Sequence, residues 1–153
     1  MAANITQGAQ CRVDDVLLTF AFLYHRYSAL TDLEDILARN SILSSIDRRW
    51  YKTDQEVFIA GILLNPFHKA RPFRAASFST LAGLYNLLHR LWLRFYSQNP
   101  PPELYGEFKA YMTGTGDFQS IENFMAGMRA AAAKEVRHFQ DSACSILSCL
   151  CTG

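Results

Sequence analysis

Arg48-Arg49-Trp50-Tyr51-Lys52-Thr53-Asp54-Gln55-Glu56-Val57-Phe58-Ile59-Ala60-Gly61-Ile62-Leu63-Leu64-Asn65-Pro66-Phe67 is the stretch that decides the fold. It opens with basic side chains, which suit the negative end of a helix dipole, and then offers Thr53 with Glu56 in the spacing of a capping box. Val57 to Leu64 follows with no polar side chain, the signature of a helix apolar all round and therefore central. Pro66 disfavours helical geometry at Asn65 and stops the segment. Gly61 costs about 1 kcal/mol of helix propensity relative to Ala, so its presence points to close approach of a neighbouring element. The stretch is thus a helix-turn-helix hinge inside a core.

Working outward, Val16, Phe20, Leu23, Tyr24 and Tyr27 recur at helical spacing and predict a first helix from Val13 to about Ala29. Asp14 and Asp15 at its start suit the positive dipole end, and both are expected to be solvated there. Thr31 with Glu34 forms a second candidate capping box, after which Leu33, Ile36, Leu37, Leu43, Ile46 and Trp50 share a face. Downstream, His68 to Ala76 reads as a basic loop. Leu81, Leu84, Tyr85, Leu88, Leu91, Trp92 and Phe95 then mark the clearest amphipathic helix, with Arg90 and Arg94 on its outer side. The run Asn99-Pro100-Pro101-Pro102 breaks the chain, with Pro102 suited to the first turn of a further helix carrying Leu104, Phe108, Tyr111 and Met112. Gly114 and Gly116 stop it, and Asp117 opens a last helix through Ile121, Phe124, Met125 and Met128. No alternating strand pattern interrupts this series, so the expectation is an all-α, single-domain bundle of six or seven helices. Residues 1–12 are read as a flexible lead-in, 13–133 as the helical domain, and 134–153 as a helical or frayed tail carrying cysteines.

At 153 residues the chain is long enough for one domain with a substantial core, and half of its residues are hydrophobic. A net charge of +1 exerts no global pull toward nucleic acid, so any charged binding surface is local. Three of the four cysteines, Cys144, Cys149 and Cys151, crowd into the last ten residues, unlike a disulfide framework. The first dozen residues lack the basic and apolar regions of a secretory leader, and no apolar run reaches membrane-spanning length. A nuclear or cytoplasmic protein without a membrane partner is expected.

The chemistry-bearing residues are sparse. His25, His68, His89 and His138 are isolated from one another, and the C-x4-C-x-C cluster lacks both the paired spacing and a fourth ligand of a zinc site. No Gly-rich phosphate loop occurs. Neither metal nor other cofactor is expected, and no catalytic set is legible. What remains is the basic group Lys69, Arg71 and Arg74, joined by Arg90 and Arg94 if the fold brings them together. Two readings stay open for it: a surface for nucleic-acid phosphates, or a solvated loop and helix face.

Arg49-Trp50, Asp54-Gln55 and Phe58 to Pro66 resemble a helical segment of fungal hAT-family transposases and their domesticated relatives, often described as ribonuclease H-like proteins. The resemblance continues in order through Phe22 to Ser28, Leu84-Tyr85-Asn86 with Arg90, Arg94 and Phe95, Tyr111 to Gly114 and Gly116 to Phe118. In that family an Asp-Asp-Glu set holds divalent metal for DNA strand cleavage, within a fold interrupted by an all-helical insertion. This chain resembles the helical part only, and Glu122 and Glu135 do not match the final Glu. The resemblance therefore implies a non-catalytic helical domain that braces a ribonuclease H-like core and touches DNA or a second subunit, whether another copy or the remainder of a transposase. The alternative is a helical protein-interaction module with no nucleic-acid function.

Overall fold

Every regular element among the described residues is helical, in keeping with the absence of alternating apolar patterns. The computed structural model describes residues 11–73, 76 and 78–132. Six α-helices occur among them: α1 (Val13–Ser28), α2 (Ile36–Lys52), α3 (Gln55–Leu63), α4 (Leu81–Tyr96), α5 (Leu104–Thr113) and α6 (Gln119–Ala132). Short 3-10 turns at Leu33–Asp35, Arg71–Phe73 and Gly116–Phe118 join them. Residues 1–10 of the lead-in, Arg74, and the tail 134–153 with Cys144, Cys149 and Cys151 lie outside the described residues.

The apolar run of α3 makes it the central helix, packed against α1 on one side and α4 on the other. Ile59, Ala60 and Ile62 join Leu17 and Ala21 of α1, Trp50 of α2 and Leu87 and Leu91 of α4 in one buried cluster. Leu63, at the end of α3, belongs to a second cluster with Leu84 of α4 and Phe108 of α5. Because α3 has side chains in both clusters, burying it on all but one side couples the two halves of the core. Leu64 is the exception, half exposed where the helix ends. A Cβ built on Gly61 would lie 3.1 Å from Cγ1 of Val13, so the glycine marks the close approach of α1 that its position implies.

Several finer expectations are corrected. Neither capping box forms: the helical turns after Thr31 and Thr53 begin at Asp32 and Asp54 without a side-chain cap. Thr53 instead turns its hydroxyl back to donate to the Trp50 carbonyl at 2.8 Å, closing α2 rather than opening α3. A side-chain cap is made at Thr80, whose hydroxyl oxygen accepts from Gly83 N at the start of α4. On α1 the fully buried line is Asp14, Leu17 and Ala21, with the larger aromatic residues only half buried. Ala21 leaves room for α3 to approach, which bulkier side chains would deny. Leu33 and Leu37 (82% exposed) stand in solvent, because α2 docks only through its C-terminal half at Ile46 and Trp50. Phe95, 66% exposed, lies beyond the last buried turn of α4 at Leu91. Pro102 sits in the turn before α5, which begins two residues later at Leu104.

Candidate functional site

The basic segment after α3 is a sequence of tight turns rather than an open loop, and Asn65 organises it. Pro66 prevents the helix from continuing, and the Asn65 side-chain oxygen accepts from Phe67 N at 2.9 Å, a local turn that asparagine is suited to form. The Asn65 carbonyl accepts from His68 N and Lys69 N, and the chain leaves this turn with Lys69 in the left-handed region at φ 49°. That conformation costs a non-glycine residue about 1 kcal/mol. Pro72 and Phe73 are buried immediately afterwards, which anchors the segment to the core and fixes where Lys69 and Arg71 stand.

Asn65 also reaches the other way. Its Nδ2 donates to Asp14 at 2.5 Å, and Arg12 donates to the same carboxylate through Nε and Nη2, each at 3.0 Å. Asp14 is therefore 4% exposed, which corrects the expectation of a solvated helix start. Burial would raise its pKa, but the hydrogen bonds from Arg12 and Asn65 and the charge of Arg12 outweigh it, so the carboxyl sits below its ordinary value. This arrangement ties the first turn of α1 to the end of α3. It is a structural link with every carboxylate oxygen engaged, not a catalytic acid. Asp15, next in sequence, acts on it through its charge, which favours the protonated Arg12.

The five candidate cations separate into unlike environments. Arg90 donates to Glu56 at 2.7 Å, and Arg94 pairs with Asp54 through two nitrogens, the closer at 2.5 Å. These pairs lace α4 to the start of α3 and offset the charge that phosphates would need. Lys69 does not project into solvent: its side chain is 12% exposed. Its ammonium donates to the Tyr111 carbonyl at 2.7 Å and to the Glu122 carboxylate, and it lies 4.9 Å from the centroid of the Tyr111 ring. Arg71 is exposed, and Arg74 lies outside the described residues.

Lys69 and Arg71 line a depression of about 360 Å³ together with Ala70, Ser79, Met112, Thr113 and Glu122. Glu122 is the residue that sequence reasoning missed. It enters from α6, 53 positions from Lys69, and nothing in its helical surroundings announces the pairing. The indirect signal is Gly114: its φ of 68° suits glycine, and a Cβ there would collide with Glu122 Cγ. Tyr111, whose carbonyl and ring meet the Lys69 ammonium, is itself held in place by its hydroxyl, which donates to the Leu63 carbonyl at 3.2 Å. Burial, and then the charge of Glu122, push the Tyr111 hydroxyl up to about 12.

Among the described residues no group of three or more His, Cys, Asp or Glu side chains could hold a metal ion. No helix among them is long and apolar enough to cross a membrane. No family model, curated protein or solved structure matches the chain. The functional reading accordingly rests on the residues and their geometry. Around the depression that geometry sets the two cations Lys69 and Arg71 against the single carboxylate of Glu122, with hydrogen-bond donors that suit an oxyanion.

Proposed function

We propose that this chain is a non-catalytic helical domain of hAT-transposase ancestry that braces a ribonuclease H-like protein core. The observation that carries the reading is a contrast of surfaces. Arg90 and Arg94 are engaged by Glu56 and Asp54, whereas large apolar side chains stand in solvent at the end of α4 (Phe95, Tyr96) and along α6 (Ile121, Phe124, Met128). On α6 the spacings of three and four put Ile121, Phe124 and Met128 on one side of the helix, an exposed apolar strip bordering buried Met125, which follows Ile121 by four. Apolar faces of this kind suit protein contacts, and the ion-paired arginines leave less charge for a nucleic-acid backbone. The role would place the chain in the nucleus or cytoplasm, with no cofactor of its own, and DNA contact would fall to Lys69, Arg71 and Arg74.

The test is binding of the purified full chain to the ribonuclease H-like core of a fungal hAT transposase. Phe124→Asp with Met128→Asp is expected to weaken binding at least tenfold while leaving the helical circular dichroism spectrum unchanged. Absence of binding by the unaltered chain would sink the bracing role. The alternative interaction module, favoured by the same spent arginines, predicts no association with duplex DNA even at low salt. Salt-dependent DNA binding lost in Arg71→Ala would count against that alternative.

A further inference from the structure

The depression beside Lys69 has the makings of an anion site that the protein itself already fills. Lys69 adopts a left-handed backbone conformation, which non-glycine residues hold only when their surroundings impose it. Its nearly buried ammonium is met by two acceptors, the Tyr111 carbonyl and the Glu122 carboxylate. The first is fixed by α5. The second is carried by α6, which is joined to α5 through Gly114 and Gly116, both at positive φ (68° and 59°). Two such glycines, separated only by Thr115, make a joint whose backbone escapes the restriction that a Cβ imposes, with open space around Gly116.

We propose that this depression is a binding site for a phosphate-type oxyanion, and that Glu122 is its resident competitor. A carboxylate presents to Lys69 the same charged oxygen that a phosphate would. Arg71 lines the same depression and is exposed, so its planar fork is available for a second oxygen of the incoming group. Ser79 and Thr113 complete the polar rim. When Glu122 is withdrawn, Lys69 and Arg71 present two positive charges to one cavity; with Glu122 in place, the local charge is near +1 and the best oxygen position is taken. The site is thus self-masked, and movement of α6 controls its affinity. The proposal stands independently of the bracing role.

The experiment is a nuclear magnetic resonance titration of the full chain with inorganic phosphate, and in a parallel arm with a short DNA duplex. Glu122→Gln keeps the size of the side chain and removes its charge, and is expected to bind phosphate at least tenfold more tightly than the unaltered chain. Adding Lys69→Met to Glu122→Gln should abolish that gain, and Arg71→Ala in the Glu122→Gln background should reduce it at least threefold. Equal affinity in the unaltered chain and Glu122→Gln overturns the proposal, as does a gain that survives Lys69→Met. Should Glu122→Gln fail to fold by circular dichroism, Glu122→Asp takes its place. It retains the charge but withdraws the carboxylate by one methylene, and a gain of about threefold is expected, with no gain counting against the site. A parallel gain for the duplex identifies a phosphodiester as the ligand, and a gain confined to inorganic phosphate identifies a small phosphate.

Discussion

Asp14 shows how a single side chain acquires a role that its neighbours in sequence do not suggest. Exposed at a helix start it would contribute a few tenths of a kcal/mol through the dipole; buried against Arg12 and Asn65 it becomes a tie between α1 and the end of α3. Asp14→Asn leaves the Asn65 amide facing another amide and removes the partner of Arg12, and is expected to cost about 1–3 kcal/mol in urea unfolding at neutral pH. Because the folded carboxyl has a lowered pKa, its contribution is present above the unfolded value of about 3.9 and disappears as pH falls through the folded one. The unaltered chain and Asp14→Asn should therefore converge in stability below about pH 4. Tyr111 acts at the opposite end of the scale. Its hydroxyl is raised to about 12, so its contribution is whole below the ordinary tyrosine value of about 10 and is lost as pH climbs toward the folded one. Tyr111→Phe keeps the ring beside Lys69, loses about 1 kcal/mol with the bond to the Leu63 carbonyl, and should flatten the alkaline limb of the stability curve.

Among the elements, α3 is the least tolerant because both core clusters draw on it. Gly61→Leu would drive a large side chain into Val13 and the first turn of α1, at an expected cost of about 2–3 kcal/mol. Gly61→Ala should stay within about 1 kcal/mol of the unaltered chain, since the gain in helix propensity offsets a contact of 3.1 Å with a half-exposed valine. Calorimetric melting of the two variants separates close packing from mere helix propensity. The ion pairs between α4 and the start of α3 are of a different order. Both lie in solvent, so Arg90→Ala with Arg94→Ala should cost no more than about 1–2 kcal/mol in total and lose its effect in high salt.

Across the whole molecule, stability is expected to be uneven. Helices α1, α3 and α4 share buried clusters, whereas α6 is held to the rest through Met125, the Lys69 and Glu122 contact and the 3-10 turn that precedes it. Native-state hydrogen exchange should find the amides of α6 opening well before those of α3, and uniform protection across both would contradict this account. How much of this was legible depended on whether the cause was local. The helix of Val57 to Leu63, its stop at Pro66, the need for close approach at Gly61 and the break at Gly114 follow from the chain's own periodicity and backbone chemistry, so the all-helical architecture could be read directly. The capping boxes failed because Thr53 found a nearer acceptor in the Trp50 carbonyl, a choice between two local bonds that spacing does not settle. The candidate site was less legible still. Spacing identified Lys69, Arg71, Arg90 and Arg94 as candidates, but the partners of Lys69, Arg90 and Arg94 are Glu122 on α6, Glu56 on α3 and Asp54 just before α3, 34 to 53 positions away. The sequence by itself determined which segments are helical and which face of each is apolar, because those properties are set within a few turns. Only the tertiary structure decided that Asp14 is buried, that two of the arginines are neutralised and that Lys69 is masked by Glu122, because charge compensation depends on which distant groups the packing brings within a hydrogen bond.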